Sequence, residues 1–146
     1  IKSLWEANMD LLNPEVPFNL KDRDFKIYAR NYSNPSSFVS GKAEIVNSYI
    51  AEGSCVYGKV HNSIISTGCV IEEGVEIYDS VIMPNSTIEK CSVIKCAIIG
   101  EDTVVHANAK IGDNPEFYDK NKWGIAVVGK DKEVPKNEIL LPKEVY

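Results

Sequence analysis

The chain has 146 residues, of which 44% are hydrophobic and 25% charged, with a formal net charge of −5. This is the composition of one ordinary globular domain, and the acidic balance excludes binding to nucleic acid through a broad basic face. No apolar run reaches the roughly 18 residues of a membrane-spanning helix and no export signal opens the chain, so the expectation is a cytoplasmic protein.

The first twelve residues read as a short helix. Leu4, Ala7 and Leu11 with Trp5, Met9 and Leu12 give it a broad apolar face, and Pro14 and Pro17 stop it. Ser3 and Glu6 have the spacing of a capping box. So apolar a helix at the start of a chain suggests one cut from something larger. Residues 13–37 read as a polar linker containing Arg23, Lys26, Arg30 and Pro35.

From residue 39 the chain repeats. Val39, Ile45, Ile50, Val56, Val60, Ile65, Ile71, Ile77, Ile82, Ile88, Ile94, Ile99, Val105 and Ile111 recur at steps of mostly five and six. From Ile65 the order 6+6+5 repeats, so that Ile65, Ile82 and Ile99 are equivalent, as are Ile71, Ile88 and Val105, and Ile77, Ile94 and Ile111. A helix needs apolar residues every three to four positions and an amphipathic strand every two, so these steps fit neither. They fit a coil with three flat faces, each a short strand with one inward residue, stacked in parallel on the next coil. Three residues after the inward position stand Gly53, Gly68, Gly74, Asn85, Cys91, Asp102 and Asn108. All but Cys91 are types that adopt positive φ cheaply, as corners require. The coil from Ile50 to Ile65 is two residues short, which predicts a pinched corner near Gly58–His61. Two matching 17-residue periods with their corner residues argue against a generic β-sandwich. The fold class is therefore all-β, a parallel β-helix with a short N-terminal helix and linker, in which each coil contacts only its neighbours and the ends need capping. After Ile111 the repeat breaks at Gly112-Asp113-Asn114-Pro115; residues 123–129 offer a further rung or end cap, and Pro135 and Pro142 punctuate the tail.

Chemistry is harder to find. Cys55, Cys69, Cys91 and Cys96 form no CxxC pair, so they read as reduced, mostly buried thiols. His61 and His106 each follow an inward residue by one position and should point outward or into a corner. An inter-coil histidine can act as general base in an acyltransferase of this architecture, but no carboxylate stands beside either histidine in the repeat. Arg23, Lys26 and Arg30 in the linker and Lys120, Lys122, Lys130 and Lys132 after the repeat would hold a phosphate-bearing ligand if the two groups met. Tyr28, Tyr32 and Tyr49 read as packing residues.

Several phrases carry a resemblance: Ser3-Leu4-Trp5-Glu6-Ala7-Asn8-Met9-Asp10-Leu11-Leu12, Asn19-Leu20-Lys21-Asp22-Arg23-Asp24-Phe25-Lys26-Ile27-Tyr28, Asp79-Ser80-Val81-Ile82-Met83-Pro84 and Gly124-Ile125-Ala126-Val127-Val128-Gly129-Lys130. Over essentially its whole length the chain resembles the C-terminal part of bacterial glucose-1-phosphate adenylyltransferase. The resemblance implies a left-handed β-helix (a hexapeptide-repeat solenoid) over 39–146, with 1–38 the helix and linker that join it to a catalytic domain absent here. It implies that the parent joins ATP and glucose 1-phosphate to give ADP-glucose and pyrophosphate with Mg²⁺, in glycogen biosynthesis. This part would carry no catalytic residue, metal site or cofactor of its own; it would pack on the catalytic domain, help build a homotetramer and share a site for phosphorylated effectors. Lys130 matches an effector-binding lysine of the plant members, and in Ala29-Arg30-Asn31-Tyr32 only Arg30 is left as an anion ligand. A hexapeptide acyltransferase using His61 or His106, and the same domain of another sugar-phosphate nucleotidyltransferase, are the alternatives.

Overall fold

The computed structural model describes residues 1–15, 33–117 and 122–146. The repeat folds as three parallel sheets that share one interior. Sheet A stacks β1 (Phe38–Val39), β4 (Cys55–Val56), β7 (Val70–Ile71), β10 (Thr87–Ile88), β13 (Val104–Val105) and β16 (Glu133–Val134) in that order. Sheet B stacks β2 (Glu44–Val46), β5 (Lys59–His61), β8 (Glu76–Tyr78), β11 (Val93–Lys95), β14 (Lys110–Ile111) and β17 (Ile139–Leu140). Sheet C stacks β3 (Tyr49–Ile50), β6 (Ile64–Ile65), β9 (Val81–Ile82), β12 (Ala97–Ile99) and β15 (Ala126–Val128). Successive strands belong to different sheets and equivalent strands pair one coil apart, which makes the fold a three-sided parallel β-solenoid.

The register is the one the spacing dictates. Ile65 lies over Ile82 and Ile82 over Ile99, and Ile71 over Ile88 and Ile88 over Val105. Every inward residue from Val56 to Ile111 is fully buried. Stacked β-branched chains suit a pleated surface, and here they fill the interior from end to end. Val39 is 44% exposed because β1 is the edge strand of its sheet among the described residues.

The corners explain the rest of the period. All seven predicted corner residues have positive φ, including Cys91 at 60°, so the position imposes the left-handed conformation even on a residue that does not favour it. A second corner, between sheets B and C, puts Asn47, Asn62, Asp79 and Cys96 at φ 42–47°. Just inside it a column of serines, half-buried at Ser48 and buried at Ser63 and Ser80, is hydrogen-bonded: Ser48 Oγ accepts from the Ser63 N–H, Ser63 Oγ from the Ser80 N–H and Ser80 Oγ from the Ala97 N–H. Each hydroxyl also donates to a carbonyl two residues back, so these buried polar groups are satisfied. The short coil is pinched at Gly58, where an added Cβ would lie 2.5 Å from the Val75 carbonyl oxygen.

Two expectations need correction. The tail is more than punctuation: Val128 continues the Ile99 ladder, Val134 the Val105 ladder and Leu140 the Ile111 ladder. Pro135 stands just outside the ladder, where its missing N–H costs nothing. The rung expected at residues 123–129 forms as β15, reached by 17 residues from Ile111 to Val128 where the equivalent step, Ile94 to Ile99, is five; what the reading of the tail left out is β16 and β17. The Ser3–Glu6 capping box does not form either. Helix α1 runs Lys2–Asp10 with Ile1 at its N-cap and no side-chain cap, which puts Ser3 inside the helix and pairs Glu6 with Lys2 at 3.3 Å.

Candidate functional site

Lys130 follows β15, in the corner between sheets C and A. Gly100 lies one coil below, and a Cβ there would come within 2.6 Å of the Lys130 nitrogen, so the two backbones touch. That contact brings the Lys130 ammonium onto Glu101 Oε2 at 3.0 Å and within 3.6 Å of Asp102 Oδ2. The hydrogen bond to Glu101, with the charges of Glu101, Asp131 and Asp102, raises the Lys130 pKa. Lys130 is therefore a charged, half-exposed ammonium already held by carboxylates, and an anion reaching it would compete with Glu101. Arg30, together with Arg23, Lys26, Lys120, Tyr28 and Tyr32, lies outside the described residues.

Both histidines have carboxylate neighbours, contrary to the reading of the repeat. His61 Nε2 stands 2.8 Å from Glu44 Oε1, out of line for a hydrogen bond, and the ring meets Tyr78 edge-on at 5.3 Å. His106 Nδ1 stands 3.1 Å from Glu89 Oε1, its Nε2 is 3.9 Å from Glu133 Oε2, and the other oxygen of Glu89 accepts the Ala107 N–H. Glu44 and Glu89 each precede their histidine by 17 residues and sit one coil away. Only stacking makes them neighbours, which is why a search of adjacent positions misses them. An imidazole oriented by a carboxylate can serve as a general base. The cavities of about 570, 380 and 340 Å³, however, are lined by other residues.

Cys91 is exposed and Cys55 partly buried. Burial pushes the thiol of Cys69 up to about 11 and that of Cys96 up to about 12, which keeps both protonated and unreactive at neutral pH. Among the described residues no group of His, Cys, Asp and Glu could hold a metal ion, and no helix is long and apolar enough to cross a membrane.

The feature least visible in the sequence is the outer face of sheet C. Val81 and Ile98 point away from the interior yet are only 2% and 5% exposed, because Trp5 and Met9 of α1 and Trp123 and Ile125 of the loop before β15 pack over them. The Trp5 indole N–H donates to the Asp79 carbonyl at 2.7 Å, and the Trp123 N–H to that of Asp113 at 2.9 Å. Ile64-Ile65, Val81-Ile82, Ile98-Ile99 and Val127-Val128 are consecutive apolar pairs, but so are Val70-Ile71, Val93-Ile94 and Val104-Val105 on the other two sheets, so the pairs alone do not single out the covered face.

Comparison with known proteins identifies matches to this architecture. The model of the family "GlmU-like, C-terminal hexapeptide" matches residues 34–133. Glucose-1-phosphate adenylyltransferases of Bacillus thuringiensis (strain Al Hakam) and Bacillus anthracis are each 45% identical over 105 residues, covering 72% of this chain and 28% of the relative. That of Bacillus mycoides (strain KBAB4) is 44% identical over the same length. The chain thus matches little more than a quarter of the length of these relatives. Among solved structures, a point mutant of perosamine N-acetyltransferase from Caulobacter crescentus, in complex with CoA and GDP-perosamine, superposes with a TM-score of 0.60. It is 18% identical, over 72% of this chain and 48% of that one, a likeness of fold alone.

Proposed function

We propose, from the premise that the chain belongs to the GlmU-like C-terminal hexapeptide family, that it is the regulatory and assembly domain of a glucose-1-phosphate adenylyltransferase. The observation that carries this reading is the 45% identity over 105 residues to adenylyltransferases of which the matched region is 28%. The parent would form ADP-glucose and pyrophosphate from ATP and glucose 1-phosphate, in the cytoplasm and as a homotetramer. Its Mg²⁺ and ATP belong, in this reading, to a catalytic part that the chain does not span. The part in hand would be inactive alone. Its solenoid gives a rigid platform: fully buried ladders fix the spacing of the corners, and an effector bound at one corner can act on a packed neighbour only if the platform between them does not yield.

Lys130 is the proposed effector ligand, with Arg30 as its partner from the linker. Glu101 and Asp102 hold the ammonium until a phosphorylated effector displaces them, so the site discriminates against weak monoanions. Lys130→Ala in the full-length enzyme is expected to flatten the activation curve while leaving unactivated turnover within about two-fold. An unchanged curve removes Lys130 from the site.

The test of the whole reading uses the uncut gene product with Mg²⁺, ATP and glucose 1-phosphate, following pyrophosphate. Release that needs both substrates supports the adenylyltransferase. The pairing of His106 with Glu89 favours a second reading, an acyltransferase with His106 as base. Consumption of acyl-CoA without pyrophosphate release, abolished by His106→Ala, would move the assignment there.

A further inference from the structure

Sheet B carries two columns of outward side chains. One runs Glu44, Lys59, Glu76, Val93, Lys110 and Ile139; the other runs Val46, His61, Tyr78 and Lys95. Continued in register, the second column reaches Gly112 and then Leu141, so it has a gap where every other coil has a side chain. The gap is enforced. Gly112 has φ +69°, and a Cβ on it would stand 2.0 Å from the Lys95 carbonyl oxygen. Here too the chain leaves the solenoid for the loop before β15, and among the described residues no corner closes over the gap.

The result is a cavity of about 380 Å³, floored by Gly112 and Val93 and walled by Lys95, Lys110, Ile139 and Leu141. This is the size range of small-molecule sites, and its lining sets Val93, Ile139, Leu140 and Leu141 beside two lysines and two acids, Glu76 and Asp113. Ile139 is 60% and Leu141 49% exposed, a large apolar surface for two neighbours on a terminal coil. Lys95 is held only loosely, 3.8 Å from Asp113. Among the described residues the Lys110 ammonium has no carboxylate partner, whereas Glu76, the other acid of the cavity, is taken by Lys59 at 3.3 Å.

We propose that the notch at Gly112 is a binding site for a small amphipathic monoanion, a carboxylate with a short branched apolar body. The carboxylate lies between Lys110 and Lys95, and the body covers Ile139, Leu141 and Val93. One ammonium without a carboxylate partner among the described residues and one loosely paired one satisfy a single negative charge. A second charge, as on a phosphate ester, would face Asp113 and Glu76 at close range and be repelled. This site is on a different face from Lys130 and does not rest on the adenylyltransferase reading.

The experiment is a titration of the 146-residue chain with 4-methylpentanoate, followed by backbone amide chemical shifts. Saturable shifts confined to Gly112, Lys95, Lys110 and Leu141, with low-millimolar affinity, are expected for a ligand of this size. Lys110→Gln and Ile139→Ser both replace exposed side chains, so their amide spectra should otherwise match the parent, and each should weaken binding by about tenfold. Inorganic phosphate should produce no saturable shift at Gly112. The proposal is overturned if 4-methylpentanoate does not saturate, if both variants bind it as the parent does, or if phosphate binds in the notch as well.

Discussion

Sheets A and B differ from sheet C in what their strands show to the outside. The outward positions of A and B mix Val70, Val93 and Val104 with Thr87, Glu89, His106, Lys59, Glu76 and Tyr78, residues that stay partly or fully exposed, several of them joined in ion pairs. Those of C carry Val81, Ile98 and Val127 under a helix and a loop. The inward ladders of all three sheets are alike. The difference teaches that one inward apolar residue per rung is enough to close the solenoid, and that an outer apolar column attaches something else only where large side chains such as Trp5 and Trp123 reach over it. Sheet C is the face on which the segments flanking the repeat are assembled, with each indole N–H finding a carbonyl so that both tryptophans can be covered without leaving a donor unpaired.

Substitutions on the two kinds of column should separate these roles. Ile88→Asp, in the interior of sheet A, buries an unpaired charge with no route to water, and is expected to destabilise the chain by more than about 3 kcal/mol. Chemical denaturation measures it; a midpoint near that of the parent would break the ladder assignment. Ile98→Asp, on the outer column of sheet C, has an escape. The helix and loop can lift off and let the carboxylate meet water, so the loss is limited to the docking contacts, about 2 kcal/mol. The tryptophan emission should shift to the red while strand amides stay protected from exchange. If both signals collapse together, the two columns are not separable.

Smaller effects test the corners and the polar faces. Ser63→Ala removes the acceptor of the Ser80 N–H and the donor to the His61 carbonyl in a fully buried place, a loss of about 1–2 kcal/mol by thermal unfolding. Thr87→Lys, outward on sheet A, should lie within about 0.5 kcal/mol of the parent. A Thr87→Lys cost as large as that of Ile98→Asp would mean that sheet A also carries a covered outer face.

The local rules of the repeat are written in nearest neighbours along the chain, and so they can be read there. Six-residue steps set which residues point inward, positive-φ residues set where the faces turn, and the missing two residues of one coil set the pinch at Gly58. The outer column of sheet C was not legible, since consecutive apolar pairs also occur on the sheets that stay uncovered. The end of the last coil, β16 and β17, was obscured by an insertion that broke the count but left the ladders intact. The partners of His61 and His106 could not be read from adjacent positions, because Glu44 and Glu89 reach them across a coil. The same holds for the Glu101–Lys130 pair, 29 residues apart, and for the notch, which exists because Gly112 falls in register between Lys95 and Leu141. By itself, then, the sequence determined the solenoid, since every coil imposes the same short-range steric and burial constraints. Only the tertiary structure decided which charges meet and where the surface opens, because side chains on the outside are brought together by the stacking of coils and by nothing in the local chain.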